Sequence, residues 1–288
     1  MEGRRVPAWA DSVPFAVQLK SMVLGLRPAL LLVSVSLFSA CALFAQSIPA
    51  PESQELADLR KAADAGDARK QYALGNKYYF GTGVPKDHDE GMRWLRRAAE
   101  HGDAEIQRGV GFIYWLDGNE RETIYWYQKS AAQGNFLATS NLFSYCLKGT
   151  ITQKDCSDVA NWLRAFAAKD DAQGAEARCH LGSMSEKGIG VYQNYPEAAQ
   201  WYRKCASPGN WQGQMSLGDL YIEGKGVPKD LVLAYMWLNL AAATAPQNDL
   251  VSMGNNIAKQ RDALATMMTP EQIAEAQRLS REWKPGKE

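Results

Sequence analysis

The chain has 288 residues, enough for one large or two ordinary hydrophobic cores. Its 32 Lys and Arg balance 32 Asp and Glu, so no global field draws nucleic acid or an anionic membrane surface to the folded part. Alanine and aromatic residues are plentiful, while β-branched runs are few beyond the N-terminus, a composition that favours helix.

The first element is a targeting segment, residues 1–45. Ala29 to Ala45 is an uncharged run of 17 residues preceded by Arg4, Arg5, Lys20 and Arg27, the order of an export signal. Three outcomes stand side by side. A cut after Ala45 leaves Gln46 as the new N-terminus. Phe38-Ser39-Ala40-Cys41 reads instead as a lipobox, with the lipid on Cys41. An uncleaved anchor is the third, since 17 residues is the short limit for spanning ~30 Å of hydrocarbon. The basic flank read from Met1 is long, whereas a start at Met22 leaves Met22 to Arg27 as an ordinary one, so both Met1 and Met22 stand as starts. The segment carries two acidic residues, Glu2 and Asp11, against its four basic ones, so its removal leaves the remainder at −2. The expected location is therefore bacterial and exported, in the periplasm or anchored facing it. Membrane contact is expected only through this segment. Pro49 and Pro51 fall in a linker over residues 46–54.

From residue 55 the chain repeats itself. Leu74, Val110, Leu142, Leu181 and Leu217 form an anchor, followed by Gly in all but the third case, where Phe143 stands. A tryptophan recurs at Trp94, Trp126, Trp162, Trp201 and Trp237. Each unit reads as two helices with a 3.6-residue apolar period. The first carries the anchor, whose glycine admits a close neighbour. The second carries the Trp, expected to bury the seam between helices, and a pair of alanines where the next unit docks. Breakers separate them at Gly81-Thr82-Gly83-Val84-Pro85, Gly188-Ile189-Gly190-Val191 and Gly224-Lys225-Gly226-Val227-Pro228, where glycine ends a helix in the left-handed region. The second unit keeps only a short Asp117-Gly118-Asn119 turn. The expected layout over 55–284 is a half-repeat cap at 55–66, repeats at about 67–102, 103–134, 135–172, 173–209 and 210–245, and capping helices within 250–284. Thr269-Pro270-Glu271-Gln272 is a helix start with a capping box.

The pattern Leu-Gly-x-x-Tyr-x-x-Gly-x-Gly-Val, then Trp and paired alanines, resembles the Sel-one-like repeat, a relative of the tetratricopeptide repeat; Leu217 to Val227 is the nearest copy. The resemblance covers roughly residues 55–284. It implies an all-α solenoid of antiparallel helix pairs in a right-handed superhelix. It also implies a protein-interaction scaffold, often envelope-associated in bacteria, with no catalytic residues. The third unit departs most: Phe143 replaces Gly, Cys146 replaces Tyr, and no Gly-x-Gly-Val follows. By analogy with tetratricopeptide geometry, Arg69, Tyr72, Asn76, Tyr79 and Phe80 of the first unit face the inner surface. Glu105, Arg108, Phe112, Trp115 and Leu116 of the second do likewise. Arginine among aromatics is the composition of binding hot spots, so Arg69, Tyr72, Asn76, Tyr79, Arg108, Phe112 and Trp115 are the candidate partner-binding residues. The last units offer Glu186, Asp219 and Glu223 there instead.

Other chemistry is sparse. Four cysteines remain beside Cys41, an even number for an oxidising compartment. Cys146 ends a first helix and Cys156 starts its partner. Cys179 starts a first helix and Cys205 ends its partner. Antiparallel pairing therefore brings Cys146 to Cys156 and Cys179 to Cys205, the alternative being buried thiols. His88, His101 and His180 fall at different phases with no metal-ligand spacing, and no phosphate loop follows a strand, so neither metal nor cofactor is read. Glu90, Glu120 and Glu197 open second helices, where the helix dipole favours a negative charge. The function expected is a non-catalytic envelope adaptor whose partner is another protein or peptide. The alternative is a cell-wall glycan-binding or hydrolase-like envelope protein.

Overall fold

The computed structural model of the chain describes residues 53–246 and 253–286. The export signal, Cys41 and the linker up to residue 52 lie outside them. The chain divides into two bodies, Met1–Ala57 and Asp58–Glu288; of the first, the described residues form only the opening turn of one helix.

Among the described residues there are thirteen helices and no strand. They are α1 (Gln54–Asp64), α2 (Ala68–Phe80), α3 (His88–His101), α4 (Ala104–Leu116), α5 (Glu120–Ala132), α6 (Phe136–Lys148) and α7 (Gln153–Ala167). Then follow α8 (Ala172–Lys187), α9 (Tyr195–Ala206), α10 (Trp211–Glu223), α11 (Leu231–Thr244), α12 (Met253–Ala265) and α13 (Pro270–Glu282). Five hairpins, α2–α3 to α10–α11, stack in sequence order, each second helix lying against the next first helix. The core is accordingly a chain of clusters, and each unit buries its apolar stripe only against its neighbours.

Local chemistry sets the boundaries. Every helix from α2 to α11 opens on an Asp, Asn or Thr whose side chain accepts first-turn amide N–H groups. Asp67 takes those of Arg69 and Lys70, and Asn210 those of Gln212 and Gly213. Thr152 forms a reciprocal box with Asp155. Such caps are each worth about 1 kcal/mol. At the far end Thr269 and Gln272 bond each other's backbone amides, with Pro270 in the first turn. α13 packs on α11, where the Trp237 and Trp283 rings meet edge to face, centroids 6.0 Å apart.

The anchor glycines sit where two helices touch. A Cβ on Gly75 would lie 2.7 Å from Leu95, on Gly111 2.7 Å from Tyr127, and on Gly182 2.6 Å from Tyr202. The residue sealing each hairpin is thus the one after the tryptophan. Leu95, Tyr127, Leu163, Tyr202 and Leu238 are all buried. This corrects the role expected of Trp94, Trp162 and Trp201, whereas Trp126 and Trp237 are buried in the core. Trp94 and Trp201 are only half-buried, bond their indole N–H to Glu90 and Glu197 one turn earlier, and are covered by Arg97 and Lys204.

In the Gly-x-Gly turns both glycines adopt positive φ, about 70°. The first ends the helix. The second allows close docking, since a Cβ on Gly190 would strike the backbone of Cys156, and one on Gly226 that of Tyr195. Each of these turns is pressed onto the opening of the preceding second helix. Gly83, in the first unit, meets only the end of Lys77.

A clasp joins successive units. Arg60, Arg96 and Arg203, each from a preceding second helix or α1, donate to the hydroxyls of Tyr78, Tyr114 and Tyr221, always 18 residues later. The third and fourth units have Cys146 and Ser185 at that tyrosine position and lack the clasp. Both disulfides lie in those two units. Cys146–Cys156 ties the end of α6 to the start of α7, with Cα atoms 5.6 Å apart. Cys179–Cys205 ties α8 to α9, with Cα atoms 5.4 Å apart.

Candidate partner-binding groove

The first helices leave a row of large apolar side chains uncovered. Phe80 ends α2, Phe112, Trp115 and Leu116 end α4, and Leu137 and Leu147 lie on α6; all are exposed. The isolated exposure of a single leucine needs no explanation, but Phe112, Trp115 and Leu137 exposed around one groove do. Phe112 and Trp115 stack on each other, centroids 5.6 Å apart. With Arg108 of α4 and Leu137, Asn141, Ser144 and Lys148 of α6 they line a groove of about 440 Å³, floored by the buried rings of Tyr127 and Tyr145.

Physical neighbours hold this groove in shape. Arg108 is forked onto Glu105 one turn earlier, which raises its affinity for the proton and holds the Glu105 carboxyl below its usual range. Asn135, the cap of α6, donates to the same carboxylate at 3.0 Å, fixing α4 to α6. Burial pushes the Tyr127 and Tyr145 phenols up, so both stay neutral donors at the groove floor. Lys148 rests over the Tyr145 ring at 5.6 Å.

The sequence-predicted residues separate on this map. Arg108, Phe112 and Trp115 come together in the groove. Arg69 is exposed one unit earlier and pairs with Asp103 at 3.2 Å, across a unit boundary. Tyr72 packs its hydroxyl end against Gly109, so it serves packing between units. Asn76 is half-buried on α2. Tyr79 is a correction: it is 9% exposed, and its hydroxyl donates to Asp117 at 2.6 Å. Burial and that carboxylate raise its pKa to about 12. A residue next to Phe80 is turned ~100° from it on the helix, and here that turn points into the seam. Sequence reasoning assigns inner-face residues only to the first, second and last units; the same offsets from the Leu142 anchor lead to Leu137, Ser144 and Lys148, and Asn141 is found only in the fold.

A larger concavity of about 870 Å³ lies between α3 and the short turn of the second unit. Several of its polar groups are already paired. Arg96 bonds Tyr114, Arg93 pairs with Glu90, and His88 Nε2 lies 3.1 Å from Asp117. The Asp117 hydrogen bond, first among its neighbours, raises the His88 pKa. The groove between α4 and α6 carries the exposed aromatic and leucine side chains; this one is lined largely by charged residues, several of them paired.

Folding also assembles three groups that no motif announced. Ser140 Oγ of α6 lies 3.0 Å from His180 Nε2 and 3.1 Å from Glu176 Oε1, both of α8. A hydrolytic triad needs the hydroxyl and the carboxylate on opposite ring nitrogens. Here Glu176 also faces Nε2, at 3.4 Å, and the ring is stacked on Phe143, centroids 4.1 Å apart. The arrangement joins α6 to α8, where Phe143 has displaced the anchor glycine. Among the described residues no three His, Cys, Asp or Glu side chains converge as metal ligands would.

Residues 71–103, 107–135, 175–210 and 211–243 match the Sel1 repeat family; the unmatched stretch between them is the irregular third unit. A Sel1 repeat protein of Oxalobacter formigenes shares the fold, with 23% identity and a TM-score of 0.55 over 78% of this chain and 68% of that one. A protective antigen of uropathogenic Escherichia coli strains displaying an SLR fold is 27% identical, with a TM-score of 0.47 over 78% of this chain and 54% of that one. Activator of C kinase protein 1 of Saccharomyces cerevisiae is 31% identical over 94 residues, which is 31% of this chain and 15% of that protein. The chain therefore spans a small part of that curated relative.

Proposed function

We propose that this chain, which is a Sel1-repeat protein, is a non-catalytic adaptor of the bacterial cell envelope that holds a partner protein in the groove between α4 and α6. Sel1 repeats generally mediate protein–protein interaction. The observation that carries the reading to this groove is the joint exposure of Phe112 at 43%, Trp115 at 54% and Leu137 at 54%. Elsewhere in the array the aromatic residues largely seal seams. Aromatic anchors beside an arginine, on rigid helices, are what a hot spot requires.

Two features support the envelope. The N-terminal 45 residues read as an export signal, and two disulfides persist in oxidising compartments. Among the described residues no helix is long and apolar enough to cross a membrane.

The test is site-specific photo-crosslinking in cells. A photoreactive residue at Trp115 or Leu137 is expected to trap one discrete protein. The same residue at Lys154, 85% exposed at the start of α7, is expected to trap none. Equal labelling at both places, or none at either, would sink the assignment.

A further inference from the structure

The groove's chemistry narrows the class of partner, on the adaptor reading above. Its rim carries two charged groups, Arg108 and Lys148, both cationic; no carboxylate lines it. Arg108 is already neutralised by Glu105. Lys148 has only the Tyr145 ring beneath it, with no acidic partner among the described residues. Between the two cations lie the apolar surfaces of Phe112, Trp115 and Leu137. An incoming segment must therefore bury apolar side chains against Trp115 and bring its own negative charge to the α6 end.

We infer that the groove takes a short apolar segment of a partner protein that carries Asp or Glu beside its anchor, with the carboxylate seated at Lys148. A basic segment would bring like charge against the unpaired Lys148, a repulsion that selects against it. At about 440 Å³ the space accepts a few side chains and not a whole helix, so one strip of the partner enters. The other end of the array has the opposite character. Asp219 lies within the field of Glu186 and Glu223, and burial raises its pKa. A partner long enough to run along the first helices would meet the cation of Lys148 on α6 and carboxylates on α8 and α10.

Three synthetic 12-residue peptides test this. They share one apolar centre and differ in a flank of three Asp, three Ser or three Lys. Fluorescence anisotropy against the full chain, at low salt, should rank Asp above Ser above Lys. The step from Asp to Ser is expected at up to about fivefold, the range of one exposed ion pair. Lys148 is exposed, and Lys148→Glu should reverse the ranking. Trp115→Ala should weaken all three peptides about tenfold or more. Equal affinity for the three peptides, no measurable binding of any, or a ranking that survives Lys148→Glu overturns the inference. So does displacement of the Asp peptide by soluble cell-wall glycan fragments, which would assign the groove to sugars. A discrete crosslink at Trp115 with no flank dependence would refute this chemistry while leaving the adaptor reading standing.

Discussion

Opening the two disulfides should loosen the middle of the array and spare its ends. Cys146–Cys156 closes a separation of 10 residues and Cys179–Cys205 one of 26. Chain-closure entropy for loops of these lengths gives about 2.7 kcal/mol and about 3.5 kcal/mol at 25 °C. Whole domains are stable by only about 5–15 kcal/mol, so either contribution matters. Position concentrates the effect. The third and fourth units lack the arginine–tyrosine clasp that joins α1 to α2, α3 to α4 and α9 to α10, and the third also lacks the anchor glycine and its Gly-x-Gly turn. Units that touch only their neighbours can open singly. A dithiol reductant, itself oxidised to its disulfide as each bridge takes up two electrons and two protons, provides the perturbation. Paired variants Cys146→Ala/Cys156→Ala and Cys179→Ala/Cys205→Ala separate the contributions. Hydrogen exchange read by mass spectrometry should show lost protection in peptides from 136–206 and near-unchanged protection in 68–116 and 211–244. Uniform loss along the chain, or no loss in the middle, would refute the reasoning.

Three further outcomes follow from named contacts. Gly134→Ala and Gly190→Ala both force an L-residue into the left-handed region, at about 1 kcal/mol. Only the second meets the Cys156 backbone, so its melting temperature should fall further, by the equivalent of about 1–3 kcal/mol more. Equal losses would contradict the docked-turn geometry. The His88 pKa is raised in the fold, chiefly by Asp117, so its stabilisation is full below the unfolded value and vanishes as pH climbs through the folded one. The melting gap between wild type and His88→Gln should therefore be larger at pH 5.5 than at pH 8.5; a pH-independent gap argues against the pair. Asp219 is raised by burial and by Glu186 and Glu223, so its charge destabilises the fold increasingly as pH rises above the ordinary carboxylate range. Asp219→Asn keeps an acceptor for Gln260 and should raise the melting temperature at pH 7.5, with the gain shrinking in acid. A loss at pH 7.5 would show that the carboxylate is stabilising.

Much of the fold is legible from spacing, because spacing is what a repeat has to preserve. The anchor glycines mark helix contacts, and a glycine pair followed by valine marks a turn, whatever fills the positions between. The cysteine pairings also follow from which helix ends an antiparallel hairpin brings level. Roles shared between neighbouring positions are harder. Trp94 and Leu95 differ by one residue and by ~100° around the helix, and only packing shows that the leucine takes the seam. Tyr79 beside Phe80 is the same case. The arginine–tyrosine clasp is present in the sequence as a constant spacing of 18 residues, yet a spacing between unlike residues draws no attention until their contact is seen. Ser140 and His180 stand two and one residues before the anchors Leu142 and Leu181, but no motif pairs a serine with a histidine 40 positions on, and only the contact between α6 and α8 brings them together.

The pressed turns at Gly190 and Gly226 make those two joints one-way keys. A fourth or fifth unit grafted elsewhere would need a helix opening shaped to receive it. Exchange of modules or insertion of a tag is better tolerated at Gly118, Gly134 or Gly209, where the surrounding space is empty out to 4 Å. Anyone re-cutting this array into building blocks should splice at those open corners, leaving each glycine-paired bend with the module it follows.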